Sequence, residues 1–280
     1  MLVIGHYELV LSSLAPARRR LALILLAAAL VAALVLVVLA VLPATRGHRG
    51  ADPAAAAQDR PGPVLLVPGY GGSTSSLAGL AARLRATGRD VTVVRLPGDA
   101  EGDLGQQAAV LDSAVRAALR RTGAASVDLV GYSAGGVVAR LWAKDDRGAA
   151  VARRVVTLGS PQHGTELAAL GSLVGGACPI ACQQLVPASP LLAALNTAPE
   201  LPPGPVFVSL YSATDGVVLP PDSARLAGAL NVELQQVCPA AATVHGQLPT
   251  DPLVQAMVLA ELTAGPARQF TAADCAALSS

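Results

Sequence analysis

Ser133 stands where a side-chain nucleophile would be expected. Gly131-Tyr132-Ser133-Ala134-Gly135 follows directly on the apolar run 127–130 and leads into Gly136-Val137-Val138 and Leu141. A serine hydroxyl attacks a carbonyl carbon only when a base takes its proton. The Gly-x-Ser-x-Gly spacing suits that chemistry because it lets the serine occupy a tight strand-to-helix turn, where larger flanking residues would strike the strand or the helix. The Ala134 N–H, at the helix start, would face the oxyanion that develops during attack. With 27 glycines in 280 residues the pattern alone is weak, so its partners decide.

A nucleophile on such a turn goes with the chain order serine, acid, histidine. His6 and His48 precede Ser133, and between Ser133 and His163 lie only Asp145 and Asp146, near the end of the helical stretch behind the serine. His245 remains, in Thr243-Val244-His245-Gly246 ahead of a helical pattern at 252–262, and is the expected general base. Asp215 follows the apolar run 206–212 and precedes Gly216, so it is expected to orient His245 and stabilise its imidazolium. Asp222, flanked by Pro220-Pro221 and Ser223-Ala224, reads instead as a helix N-cap, and Asp128, inside a strand, reads as structural. A glycine-rich turn, Pro68-Gly69-Tyr70-Gly71-Gly72, follows the first apolar run; the Tyr70 N–H would join that of Ala134 in an oxyanion hole. A phosphate-binding reading is poorer, since neither G-x-G-x-x-G nor a Walker lysine is present and Lys144 is the sole lysine.

These groups need a scaffold. Apolar runs at 64–67, 91–96, 127–130, 155–158 and 206–210 predict strands buried on both faces, and the Ala/Leu/Arg stretches 76–87, 104–122 and 135–144 between them have helical spacing. Alternation at this pitch predicts βαβ units and a mainly parallel sheet, with chemistry beyond the C-terminal ends of the strands.

Residues 21–42, LALILLAAALVAALVLVVLAVL, form an uncharged run of 22 residues, long enough to cross a bilayer. Arg18, Arg19 and Arg20 before it, against Arg46 and Arg49 after it, slightly favour a cytoplasmic 1–20 segment. The run is either a signal anchor or a cleaved signal peptide ending near Val38-Leu39-Ala40; its length favours the anchor, because secretory apolar regions usually span about 7–15 residues. Residues 43–63, rich in Ala, Pro, Gly and charge, read as a linker to a domain at 64–280. The expected location is the cell membrane, held through the N-terminal helix with the domain outside, or the exterior if the segment is cleaved.

Cys178, Cys182, Cys238 and Cys275 all follow that run, and an even count in an exported domain predicts two disulfides. Of three pairings, Cys178–Cys182 with Cys238–Cys275 is the simplest; reduced thiols or a metal site are the rival, though a four-cysteine zinc site normally has two close pairs. The net charge of +1 argues against nucleic acid as a partner, and 2% aromatic residues argue against stacking platforms for sugars or bases. No cofactor is expected.

With PGYGGS, GYSAGG, TLGSPQHGTELA, SATDGVV and VHGQL in this order, the chain resembles the secreted bacterial triacylglycerol lipases of the α/β-hydrolase superfamily, over roughly 63–262. The resemblance implies an α/β-hydrolase fold, a mainly parallel sheet flanked by helices with a small cap, here preceded by one N-terminal transmembrane helix. It implies Ser133, Asp215 and His245 as a triad, Tyr70 and Ala134 as oxyanion donors, and an acyl ester lipid as substrate. Ser160 and Gln162 depart from the related lipase segment Gly-Thr-Pro-His-His-Gly-Thr, in which His163 would organise a loop near the site, and Pro68 stands where many lipases have histidine. The stretch 165–205 is where such hydrolases insert a cap; it is expected to roof an apolar acyl pocket, with Cys178 and Cys182 stapling a small loop, or else to be a surface excursion with one helix, 190–196, packed on the core. A lipase or carboxylesterase is expected. An envelope acyltransferase or thioesterase would use the same triad, and a non-catalytic membrane-tethered binding protein is the reading from another class.

Overall fold

In the computed structural model, strands form where β-branched and aliphatic residues run unbroken. β1 (Val64–Val67), β3 (Val127–Tyr132), β4 (Ala152–Leu158) and β5 (Val206–Tyr211) are buried almost throughout, as parallel strands covered on both faces must be. With β2 (Val91–Val93) and β6 (Leu230–Glu233) at the edges they make one six-stranded sheet in the order β2-β1-β3-β4-β5-β6, and every pairing is parallel. The structure describes residues 56–279 apart from 145 and 174–177, together with Leu25, Ala27, Val31 and Ala32. The 1–20 segment, the rest of the expected span at 21–42, and linker residues 43–55 lie outside the described residues. Among the described residues no helix is long and apolar enough to cross a membrane.

The period-2 alternation of the strands divides the core into two layers. Leu65, Val67, Leu129, Val155 and Phe207 point to one face, against the helices Leu104–Thr122 and Ala134–Lys144. Val64, Leu66, Val130, Val156, Val208 and Leu210 point to the other, against Ala78–Ala86 and Pro252–Glu261. Helix Leu104–Thr122 buries Leu104, Ala108, Leu111, Val115 and Ala118, a stripe at three- and four-residue spacing. The Asp103 side chain caps it by accepting from Gln106 N–H, and it ends at Gly123 with φ +67°.

Several elements differ from the sequence expectation for identifiable reasons. β6 has no counterpart in the sequence reading because Leu-Asn-Val-Glu carries no apolar run; an edge strand needs only one buried face, and Val232 supplies it. β4 begins three residues earlier than the expected run at 155–158, because Arg153 and Arg154, charged and outside that run, lie fully buried in it. Asp222 is not an N-cap. Pro220 occupies that position, and Asp222 falls inside the short 3-10 turn Pro221–Ala224, because proline, lacking an N–H to be capped, takes the first helical position. The cysteines form two disulfides, Cys178–Cys182 and Cys238–Cys275.

The two buried arginines of β4 meet carboxyl groups at the end of the sheet remote from Ser133. Asp128 accepts from Arg153 at 2.6 Å and Arg89 at 2.5 Å, which gives it the structural role expected of it. Arg154 faces Glu261 at 3.7 Å. Burial pushes the Glu261 carboxyl up from 4.5 to about 7, against the pull of Arg154. Since the folded pKa lies above the unfolded one, the folded state holds a proton that the unfolded chain has lost. The resulting stability is fully present below pH 4.5 and disappears as pH rises through about 7. Unfolding by denaturant at pH 5 and pH 8 should therefore show wild-type stability falling by roughly 3 kcal/mol more than that of Glu261→Gln.

Candidate active site

β3 ends at Tyr132, the helix begins at Ala134, and Ser133 alone makes the turn between them. Its φ of +52° is a conformation that side chains normally avoid, so the turn stores strain at the residue it presents. Two bonds hold it: Ser133 N–H donates to the Leu158 carbonyl at 2.9 Å, and Gly136 N–H donates to the Ser133 carbonyl at 3.0 Å. Gly135 is required by close approach, since a Cβ there would lie 2.3 Å from the Val67 carbonyl oxygen and 2.4 Å from that of Pro68. Helix and β1 turn could not then pack as they do.

The three chemistry-bearing side chains named from the sequence meet here. His245 Nδ1 lies 2.7 Å from Asp215 Oδ2, and His245 Nε2 lies 3.0 Å from Ser133 Oγ. A carboxylate only accepts, so Nδ1 carries the proton and Nε2 presents its lone pair to the serine hydroxyl. All three residues are buried. The other Asp215 oxygen accepts from the N–H groups of Val217 at 2.8 Å and Val218 at 2.9 Å, which fixes the carboxylate plane. Thr214 Oγ1 donates to the Thr243 carbonyl at 3.0 Å, tying the loop of the acid to the loop of the histidine.

Two residues that the sequence did not single out hold this chain in place. Tyr132 Oη donates to the His245 carbonyl at 3.2 Å, and its ring lies 5.2 Å from the imidazole, centroid to centroid. Burial, then the Asp215 charge, push this phenol up to about 12, so it stays a donor throughout the neutral range. Gly159, directly after β4, has φ +51°, and a Cβ there would lie 2.3 Å from Leu248 Cδ1, 3.0 Å from Asp215 Oδ2 and 3.4 Å from His245 Nδ1. Gly159→Ala is therefore expected to displace the acid or the imidazole and lower kcat about 100-fold, by the sensitivity of positioned groups to shifts of about 1 Å. A kcat unchanged within threefold would show that the loops absorb the methyl group.

The turn after β1 closes over the serine. A Cβ on Gly69 would come within 2.9 Å of Ser133 Cβ, so this turn packs directly against the serine. Neither the Tyr70 nor the Ala134 N–H has an acceptor among the described residues. Burial, then the Glu101 carboxylate, raise the Tyr70 phenol above its usual value. His163 stands apart, with Nε2 3.1 Å from Glu200 Oε1 and its N–H donating to the Ser223 carbonyl, so it braces two loops. In the two departures from the lipase segment, Ser160 Oγ and Gln162 Nε2 are buried without a hydrogen-bond partner among the described residues.

Beside Ser133 opens a cavity of about 260 Å³. Tyr70, Pro161, Thr165, Leu167, Ala168, Cys182, Leu185, Val217 and Val218 line it. Five of these nine belong to the stretch 165–205, which folds into short helices at Glu166–Leu173, Ile180–Gln184 and Pro190–Leu195, the last packed on the core through Leu192 and Leu195. A larger cleft of about 660 Å³ lies between Cys238, Asp251 and Cys275 and contains none of Ser133, Asp215 or His245.

Residues 62–173 match a family model described as alpha/beta hydrolase fold. The structure is similar to that of Aspergillus fumigatus lipase B, with TM-score 0.65 and 21% identity over 74% of this chain and 54% of that one. It is also similar to the propeptide form of a Bacillus licheniformis lipase, with TM-score 0.61 and 22% identity over 79% of this chain and 54% of that one. The chain thus spans about half the length of these two proteins. No curated protein matches it in sequence. The fold is that of the α/β hydrolases, a parallel sheet flanked by helices.

Proposed function

We propose that the chain is a serine hydrolase that cleaves carboxylic esters of acyl lipids. The reading is carried by one observation, the hydrogen-bonded chain from Ser133 Oγ through His245 to Asp215, at the mouth of an apolar cavity. His245 Nε2 takes the hydroxyl proton as Oγ attacks the ester carbon, and Asp215 stabilises the imidazolium. The Tyr70 and Ala134 N–H groups, free of other acceptors, receive the oxyanion. Collapse of the tetrahedral intermediate expels the alcohol, protonated by His245, and leaves an acyl-Ser133 ester. Water, deprotonated by the same imidazole, then releases the acid and restores the serine. No cofactor enters these steps.

The two disulfides are consistent with an extracellular domain, and we place its tether or export signal at 21–42. Water as acceptor is checked by supplying an ester with and without an added alcohol. One acid released per alcohol released is expected. Acyl transfer to the added alcohol with little free acid would make the protein an acyltransferase built on the same residues.

A further inference from the structure

We infer that the pocket beside Ser133 selects medium-chain acyl groups, about eight carbons long, and that Leu185 and Ala168 set this limit. The inference rests on the ester-hydrolase reading above. A cavity of about 150 Å³ holds benzene, roughly 25 Å³ per carbon, so the 260 Å³ here takes about ten carbon-sized atoms. The ester group itself fills the part next to Ser133, leaving a tail of about eight carbons.

Burial gives the pocket a direction. Tyr70, Leu167 and Val217 are 42%, 47% and 37% exposed and form its rim, whereas Ala168, Leu185 and Val218 are buried and form its closed end. The polar atom in that wall is already engaged: Thr165 Oγ1 donates to the Val217 carbonyl at 2.6 Å and accepts from Leu219 N–H at 3.0 Å. Away from Ser133 and the Tyr70 phenol at the rim, the side chains of the lining therefore offer an acyl tail apolar contact, and a hydroxylated or charged tail there would lose water without replacement. The closed end cannot recede easily. Leu185 N–H donates to the Ala181 carbonyl at 3.1 Å, the Leu185 carbonyl accepts from Thr165 N–H at 3.0 Å, and the Cys178–Cys182 disulfide clamps the helix that ends there. Each methylene that enters gains about fourfold in kcat/KM, corresponding to about 0.8 kcal/mol, and a methylene left beyond the rim gains little.

The test measures kcat/KM of the full chain for p-nitrophenyl esters from two to sixteen acyl carbons at one fixed detergent concentration. Wild type should rise roughly 15-fold with each added pair of carbons, reach its optimum near eight, and gain nothing further. Leu185→Ala, which removes three carbons from the closed end, should move the optimum about three carbons longer; Ala168→Leu should move it about as far in the other direction. Because the optimum is a ratio of rates on one preparation, partial misfolding of either variant does not shift it. An optimum at two carbons, a continued rise to sixteen, or an optimum that Leu185→Ala leaves in place would overturn the inference while ester hydrolysis stands. No turnover at any length would sink both.

Discussion

Ser133→Ala is expected to lower kcat for ester hydrolysis by about a million-fold while KM stays within a fewfold, measured on an ester near the optimum chain length. Oγ is the atom that bonds to the acyl carbon, and nothing else in the site can replace it. The cavity and the Tyr70 and Ala134 N–H groups are unchanged by the substitution, so substrate still binds and a residual acceleration over water remains. The fold should survive. Alanine meets the same backbone strain at φ +52° as serine, and the hydroxyl's bond to His245 is worth about 1 kcal/mol. His245→Ala should cost about as much, and the double variant little more than either, because the groups act as a unit. Independent losses that multiply would mean that the two side chains do not share a step.

Asp215→Asn is expected to reduce kcat about 10⁴-fold with little change in stability. The argument is one of tautomers. The asparagine oxygen can still accept from Val217 and Val218 N–H, as Asp215 Oδ1 does at 2.8 and 2.9 Å, so the side chain keeps its place. Its NH₂ then faces His245 Nδ1, where the carboxylate oxygen now sits at 2.7 Å. A donor there forces Nδ1 to accept, moves the proton to Nε2, and leaves Ser133 without a base. The readout is kcat alongside an unfolding curve: a large kcat loss with an unshifted midpoint is expected, whereas loss of both together would mean that Asp215 serves the fold.

The central strands, Ser133 and Asp215 were legible because both residues follow apolar runs, and in a parallel sheet such runs deliver their next residues to one edge. His245 could be named by elimination, since so few histidines follow the serine. What was not legible depends on contacts distant in the chain. The start of β4 was not legible because Arg153 and Arg154 interrupt the apolar pattern and the carboxyl groups they meet, Asp128 and Glu261, are 25 or more positions away. β6 carries a mixed pattern because one of its edges is free of the sheet. Gly159 left a usable signal, a glycine directly behind a buried strand next to that of the nucleophile. Tyr132 left none, because its partner is a backbone carbonyl 113 positions away. Apart from Leu25, Ala27, Val31 and Ala32, the N-terminal span lies outside the described residues, and its reading rests on sequence.

Labelling with an alkyl fluorophosphonate tests the central claim most directly. Attack of an activated serine oxygen on phosphorus, with loss of fluoride, leaves a stable adduct whose mass and position can be read by intact and peptide mass spectrometry. One adduct per chain is expected, on the peptide containing Ser133, absent in Ser133→Ala and strongly slowed in Asp215→Asn. A chain that unfolds cooperatively yet takes up no label, or that carries the label on another residue, would contradict the assignment of Ser133 as the nucleophile.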